Sequence, residues 1–115
     1  HLSQDLIKWQ ENWQACDQLQ MNGSVLEKES LSEIAEVNST LSKHGRHLAA
    51  EIETENGIPT YYYLYRVGGH SLKSEQQRCC SQCGGNWALE TPLFDVIYFK
   101  CDQCRLVSNV SWNFL

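Results

Sequence analysis

An α+β fold is predicted, with an N-terminal helical hairpin followed by a small antiparallel β-sheet. Three observations carry this expectation. Apolar residues recur at helical spacing through residues 1–57. Aromatic and β-branched runs punctuated by Gly and Pro fill residues 58–115. Four of the six cysteines stand as two C-x2-C pairs inside that second part. With 115 residues there is room for one modest core but not for two unaided ones, so the two parts are expected to form one compact unit.

The elements follow in order. Leu2, Leu6, Trp9, Trp13 and Cys16 are spaced four, three, four and three apart, which places them on one face of a helix ending near Met21-Asn22-Gly23. Two Ser-x-x-Glu capping boxes come next, Ser24 to Glu27 and Ser30 to Glu33. The second box precedes a stripe of Leu31, Ile34, Leu41, Leu48 and Ile52, which predicts one longer second helix. Gly45 lies on or beside that stripe, marking either a close helix crossing or a kink. Asn56-Gly57-Ile58-Pro59 stops the helix, because Gly suits the C-cap and the residue before Pro is driven out of the helical region.

Thr60 to Val67 reads as a strand, with Tyr61, Tyr63 and Tyr65 on one face and Tyr62, Leu64 and Arg66 on the other. Gly68-Gly69 ends it. A polar stretch, His70 to Arg78, leads to three further strand candidates: Trp87 to Glu90, Val96 to Lys100 and Arg105 to Phe114.

The first 57 residues hold ten acidic and four basic side chains, a balance of −6, whereas the remainder holds five basic and four acidic, a balance of +1. The net charge of −5 argues against coating DNA by bulk attraction. No apolar run approaches the ~20 residues of a membrane span. Leu2 to Gln10 is too polar for a signal-peptide core, and a chain that starts at His1 is expected to be a piece of a longer protein.

The cysteines carry the strongest signal. Cys80-Ser81-Gln82-Cys83 and Cys101-Asp102-Gln103-Cys104 are separated by 17 residues, the spacing of a zinc ribbon. Zn(II) takes four thiolates tetrahedrally at about 2.3 Å, and each two-residue turn presents two sulfurs from one tight loop. Cys80, Cys83, Cys101 and Cys104 are therefore the expected metal ligands and Zn2+ the expected cofactor. Cys79 offers a competing register, Cys79-x3-Cys83, but only Cys80 matches the turn at the other end. A disulfide framework and a redox C-x-x-C are the alternatives. Six cysteines and the sequons at Asn22, Asn38 and Asn109 would suit the former, while a single motif on a βαβ unit would mark the latter. Cys16 reads as a small core hydrophobe. Zinc supplies an apparent ~10–16 kcal/mol, enough to staple a β unit that is too small to fold unaided. Four thiolates leave no open position for water, so the metal is expected to be structural.

The segments GIPTYYYLYRVGG (57–69), RCCSQCGGNW (78–87) and FKCDQCRLVSNVSW (99–112) resemble the C-terminal region of uncharacterised bacterial zinc-ribbon-containing proteins to which nucleic-acid binding is ascribed. The resemblance is strong from about residue 45 onward and weak over the helices. It implies an intracellular protein with a further N-terminal region, and zinc held by Cys80, Cys83, Cys101 and Cys104.

Two functional readings follow. In the first, aromatic and basic residues bind nucleic acid, RNA or single strands, with Tyr61, Tyr63, Arg66, Lys73, Arg78, Lys100 and Arg105 as the candidate contacts and Tyr62, Tyr65 and Trp112 in support. In the second, the Trp9/Trp13 face and the acidic helices form a protein-interaction module that docks the remaining N-terminal region or a second copy. Against the first, Trp87, Phe99, Trp112 and one face of the tyrosine strand are suited to fill the small core, Trp87 and Phe99 above all, since so small a β unit needs large residues. No triad, phosphate loop, HExxH or paired-carboxylate motif is present, so no enzymatic activity is expected.

Overall fold

The computed structural model describes residues 2–22, 27–111 and 114. The predicted cap at Ser24 and the contact at Trp112 lie outside them. The chain divides into two compact units, residues 1–60 and 61–115.

The first unit contains three helices rather than a hairpin of two: α1 (Leu2–Asn22), α2 (Glu27–Ala35) and α3 (Thr40–Asn56). The predicted long second helix is interrupted at residues 36–39, and not at Gly45, which lies buried inside the unbroken α3. Local hydrogen bonding explains the break. Ser39 adopts extended backbone and its Oγ accepts from the Ser42 amide at 3.0 Å, which makes it the N-cap of α3. Glu33, expected to cap its own helix, instead takes the Leu41 amide on Oε1 at 2.9 Å. Ser30 is accordingly not a cap but a buried residue within α2. The stripe still decides which face is inward: Ile34, Leu41 and Leu48 are buried, with Val37 and Ala49 beside them. On the α1 face Leu2, Trp9, Trp13 and Cys16 are half-buried and Leu6 is exposed, and Trp9 Nε1 donates to the Leu41 carbonyl at 2.9 Å. Gly57, at φ 70°, closes α3 by donating its amide to the Glu53 carbonyl at 2.7 Å.

The second unit is a four-stranded sheet in the order β1-β4-β3-β2, formed by β1 (Tyr62–Leu64), β2 (Ala88–Leu93), β3 (Ile97–Cys101) and β4 (Leu106–Ser108). A short helix, α4 (Leu72–Gln76), capped by Ser71, occupies the stretch read as polar loop. The sheet is mixed, which corrects the antiparallel expectation: β2–β3 and β3–β4 are antiparallel, but β1 pairs with β4 in parallel, Tyr62 opposite Leu106 and Leu64 opposite Ser108. Composition marks a strand without marking its direction. The direction is set here by the connection, since the long path through α4, β2 and β3 returns the chain to lie beside β1, as a parallel pair requires.

The strands are shorter than predicted at both ends of the unit, because side chains take over the backbone bonding. Beyond Leu64, Asn109 acts as a template: its Oδ1 accepts from the Arg66 amide at 2.9 Å and from the Tyr63 hydroxyl at 2.8 Å, while its Nδ2 donates to the Arg66 and Val110 carbonyls, both at 2.9 Å. Asn109 is thus a buried structural residue within its sequon. Trp87 and Phe99 stack with centroids 5.3 Å apart and fill the core together with Tyr62, Leu64 and Leu106.

Candidate metal centre

Each cysteine pair is placed by a turn whose closing residue has a left-handed backbone. In the first, the Gly84 amide donates to the Cys80 carbonyl at 2.8 Å and the Cys80 amide to the Gly85 carbonyl at 2.9 Å, with Gly84 at φ 74°. Nothing lies within 4 Å of where a Gly84 Cβ would stand, so glycine serves the backbone angle there and not a close approach. In the second turn, which joins β3 to β4, the equivalent position is Arg105 at φ 54°.

The two turns bring Cys80, Cys83, Cys101 and Cys104 together with all four sulfurs within 4.8 Å of one another. Cys83 and Cys101 Sγ lie 3.8 Å apart. A tetrahedron with metal–sulfur bonds of about 2.3 Å has sulfur–sulfur edges of about 3.8 Å, whereas a disulfide would need about 2.05 Å. Backbone amides already point at the ligand atoms: Gly85 N–H donates to Cys83 Sγ and Cys104 N–H to Cys101 Sγ, each at 3.4 Å. The donor set and the geometry therefore fit a metal ion.

Burial, then the neighbouring sulfurs, push the Cys104 thiol up to about 12, and burial likewise raises Cys80. The Gly85 amide, followed by neighbouring thiols, holds Cys83 below its ordinary value. A bound cation would favour the thiolate form of all four. Cys79 is exposed and stands outside the cluster, so the two-residue register holds, while Cys16 is half-buried on α1.

The candidate nucleic-acid residues do not form one surface. Arg66 and Arg78 turn toward Glu75, whose carboxylate is 1% exposed. Arg66 donates from Nη2 at 2.7 Å and from Nε at 3.1 Å, Arg78 lies at 3.5 Å, and the Ser111 amide donates at 3.0 Å. Arg78 also lies over the rings of Trp87 and Phe99, at 5.6 and 5.1 Å from their centroids. Tyr63 is half-buried and bonded to Asn109; burial, then Tyr65, push its hydroxyl up to about 12. Lys73 is exposed on α4. Tyr61, Lys100 and Arg105 come together at a separate place, beside the second cysteine turn. The Lys100 and Arg105 cations stand 5.0 and 5.4 Å from the Tyr61 ring centroid, and the Tyr61 hydroxyl donates to Asp102. That bond is the main reason the Asp102 carboxyl titrates below its usual range.

Sequence reasoning missed Glu75 and Asn109. Glu75 sits in the polar stretch His70 to Arg78 and Asn109 inside a strand candidate, and no pattern marks either as a buried hydrogen-bonding centre. At the tip joining β2 to β3 it did not foresee that Phe94 and Asp95 take φ 52° and 63° and that Phe94 is 90% exposed.

Comparison with known proteins gives a consistent division of the chain. A family model described as a domain of unknown function (DUF2310) matches residues 1–65, and a second domain of unknown function (DUF8594) matches residues 69–114. Two Haemophilus influenzae proteins, both described as uncharacterized, are 76% identical over 115 residues, which is all of this chain and 57% and 44% of theirs. The chain thus spans about half the length of the curated relatives it matches. No solved structure matches. Among the described residues no helix is long and apolar enough to cross a membrane.

Proposed function

We propose, for a chain that belongs to the bacterial family of unknown function DUF2310, that residues 61–115 form a non-catalytic recognition module stapled by a structural zinc ion. The observation that carries this reading is the set of four sulfurs within 4.8 Å, with one edge at the 3.8 Å a tetrahedral thiolate centre requires. Soft thiolate ligands at this spacing favour zinc among the common divalent ions, and a closed set of four sulfurs leaves no position for an activated water. Metal analysis of freshly purified protein, with cobalt substitution, tests it. The expected result is one zinc per chain and a cobalt spectrum of four thiolates, and protein free of metal ends the reading.

For the partner, the balance of charge favours protein over nucleic acid. Two of the five basic residues of this unit are spent on the buried Glu75, and a Zn(Cys)4 centre adds two negative charges of its own. The β2–β3 tip, by contrast, presents Phe94 with the exposed Leu93 and Val96. Fluorescence anisotropy with RNA and single-stranded DNA at ~50 mM salt separates the two. Absence of binding is expected, and salt-dependent binding weakened by Arg105→Ala would restore the nucleic-acid reading around Tyr61, Lys100 and Arg105.

A further inference from the structure

The two cysteine turns reach the same backbone shape by different means. Gly84 adopts the left-handed conformation freely, at φ 74°. Arg105 occupies the corresponding place at φ 54°, where a residue with a Cβ is strained. Something must therefore hold Arg105 there, and the side chains around it supply the means. Its Nη1 donates to the Asp102 carbonyl at 2.7 Å, inside the turn itself. Its guanidinium lies 5.4 Å from the Tyr61 ring centroid, and the Tyr61 hydroxyl returns to the same turn by donating to the Asp102 carboxylate. Lys100 closes the group, with Nζ 5.0 Å from the Tyr61 centroid and 3.6 Å from Asp102 Oδ1. The Arg105 carbonyl accepts the Tyr62 amide at 2.8 Å, so the turn is also tied to the start of β1. Lys100, Asp102 and Arg105 stand next to, or between, Cys101 and Cys104.

We propose that Tyr61, Asp102 and Arg105 form a brace that holds the second cysteine turn in its metal-binding shape and thereby sets how slowly the centre releases its ion. The brace rests on the zinc reading. It gives a long-range role to Tyr61, which no spacing rule connects to residues forty positions away. It also places two cations, Lys100 and Arg105, beside a centre that carries a net negative charge when filled. Tyr61 and Arg105 are positioning residues here, since neither offers the metal a ligand atom.

The test uses the full chain loaded with zinc, with release followed by a chromophoric chelator and the ligand set read from the cobalt spectrum. Arg105→Gly is the informative variant because the two explanations predict opposite signs. Glycine relieves the backbone strain, so without a brace it would release metal at the wild-type rate or more slowly. With the brace removed, release accelerates about tenfold, the scale on which residues supporting metal ligands act. The four-thiolate spectrum stays unchanged. Asp102→Ala, at an exposed side chain with no core contact to lose, is expected to accelerate release to a similar extent, and Tyr61→Phe to a smaller one. Release by Asp102→Ala at the wild-type rate, or by Arg105→Gly at or below it, overturns the brace while leaving the zinc reading intact. Failure of the wild-type protein to take up metal overturns both.

Discussion

Replacing Glu75 by Gln should destabilise the second unit more than any other single change to a charged group. The carboxylate is 1% exposed and accepts from Arg66, Arg78 and the Ser111 amide, so it ties the 65–71 loop and α4 to the end of the chain. Gln keeps the shape and one acceptor oxygen but leaves two guanidinium groups without their counter-charge. Breaking a buried pair by removing one partner costs about 3–5 kcal/mol. The Arg66 and Arg78 side chains retain 34% and 17% exposure, so water takes up part of that burden. We expect a loss of about 2–3 kcal/mol. Burial by itself would raise the Glu75 pKa, but hydrogen bonds from Arg66 and from the Ser111 amide, with the charges of Arg66 and Arg78, outweigh it and hold the carboxyl below its ordinary value. The unfolded chain returns to that ordinary value. The stabilisation is therefore complete above the ordinary glutamate pKa and disappears as the pH falls through the lowered one. Urea titrations of both proteins at several pH values can be followed through the Trp87 indole N–H, which donates to the Arg78 carbonyl at 3.1 Å. The gap between wild type and Glu75→Gln should be full at neutral pH and shrink as the pH falls below the ordinary glutamate range, whereas loss of metal in acid affects both proteins alike. A gap under about 0.5 kcal/mol at neutral pH, the range of ordinary surface changes, would refute the reasoning, as would one that does not change with pH.

Three further outcomes are expected. Chelating the metal should collapse the amide dispersion of Tyr62–Ser108 while α3 keeps its helical signal, because an apparent ~10–16 kcal/mol is withdrawn from one unit only; NMR and far-ultraviolet circular dichroism together check this. Gly69→Ala should cost about 2 kcal/mol or more, measured by denaturation: a Cβ there would stand 2.7 Å from Glu75 Oε2, at a φ of +91° that alanine resists. Phe94→Asn should raise stability by about 1 kcal/mol, because Asn tolerates the left-handed backbone that Phe is held in, and the 90%-exposed ring has little packing to lose; a lower melting temperature would count against it.

The elements legible in the sequence were those held by local rules. Helical spacing located α1 and the buried stripe of Ile34, Leu41 and Leu48, and Gly57 marked the end of α3. The two cysteine pairs located the candidate metal centre residue by residue, because a two-residue turn presents two sulfurs wherever it occurs. The break between α2 and α3 was not legible, since Ser39 and Glu33 had to be weighed against an uninterrupted apolar stripe. Nor were the roles of Arg66 and Arg78. As isolated cations they read as surface groups, and only their convergence on Glu75 turned them inward.

By itself the sequence determined the main helical and extended segments, though not α4 or the break before α3, and which four sulfurs meet, because periodicity and ligand spacing act over a few residues. The tertiary structure alone decided that β1 lies parallel to β4, that Asn109 and Glu75 organise a buried polar core, and that Tyr61 reaches the second cysteine turn. Those pairings join residues about thirty to forty-five positions apart. Strand direction and side-chain partnership at that range are set by how the intervening chain folds back, which local composition does not encode.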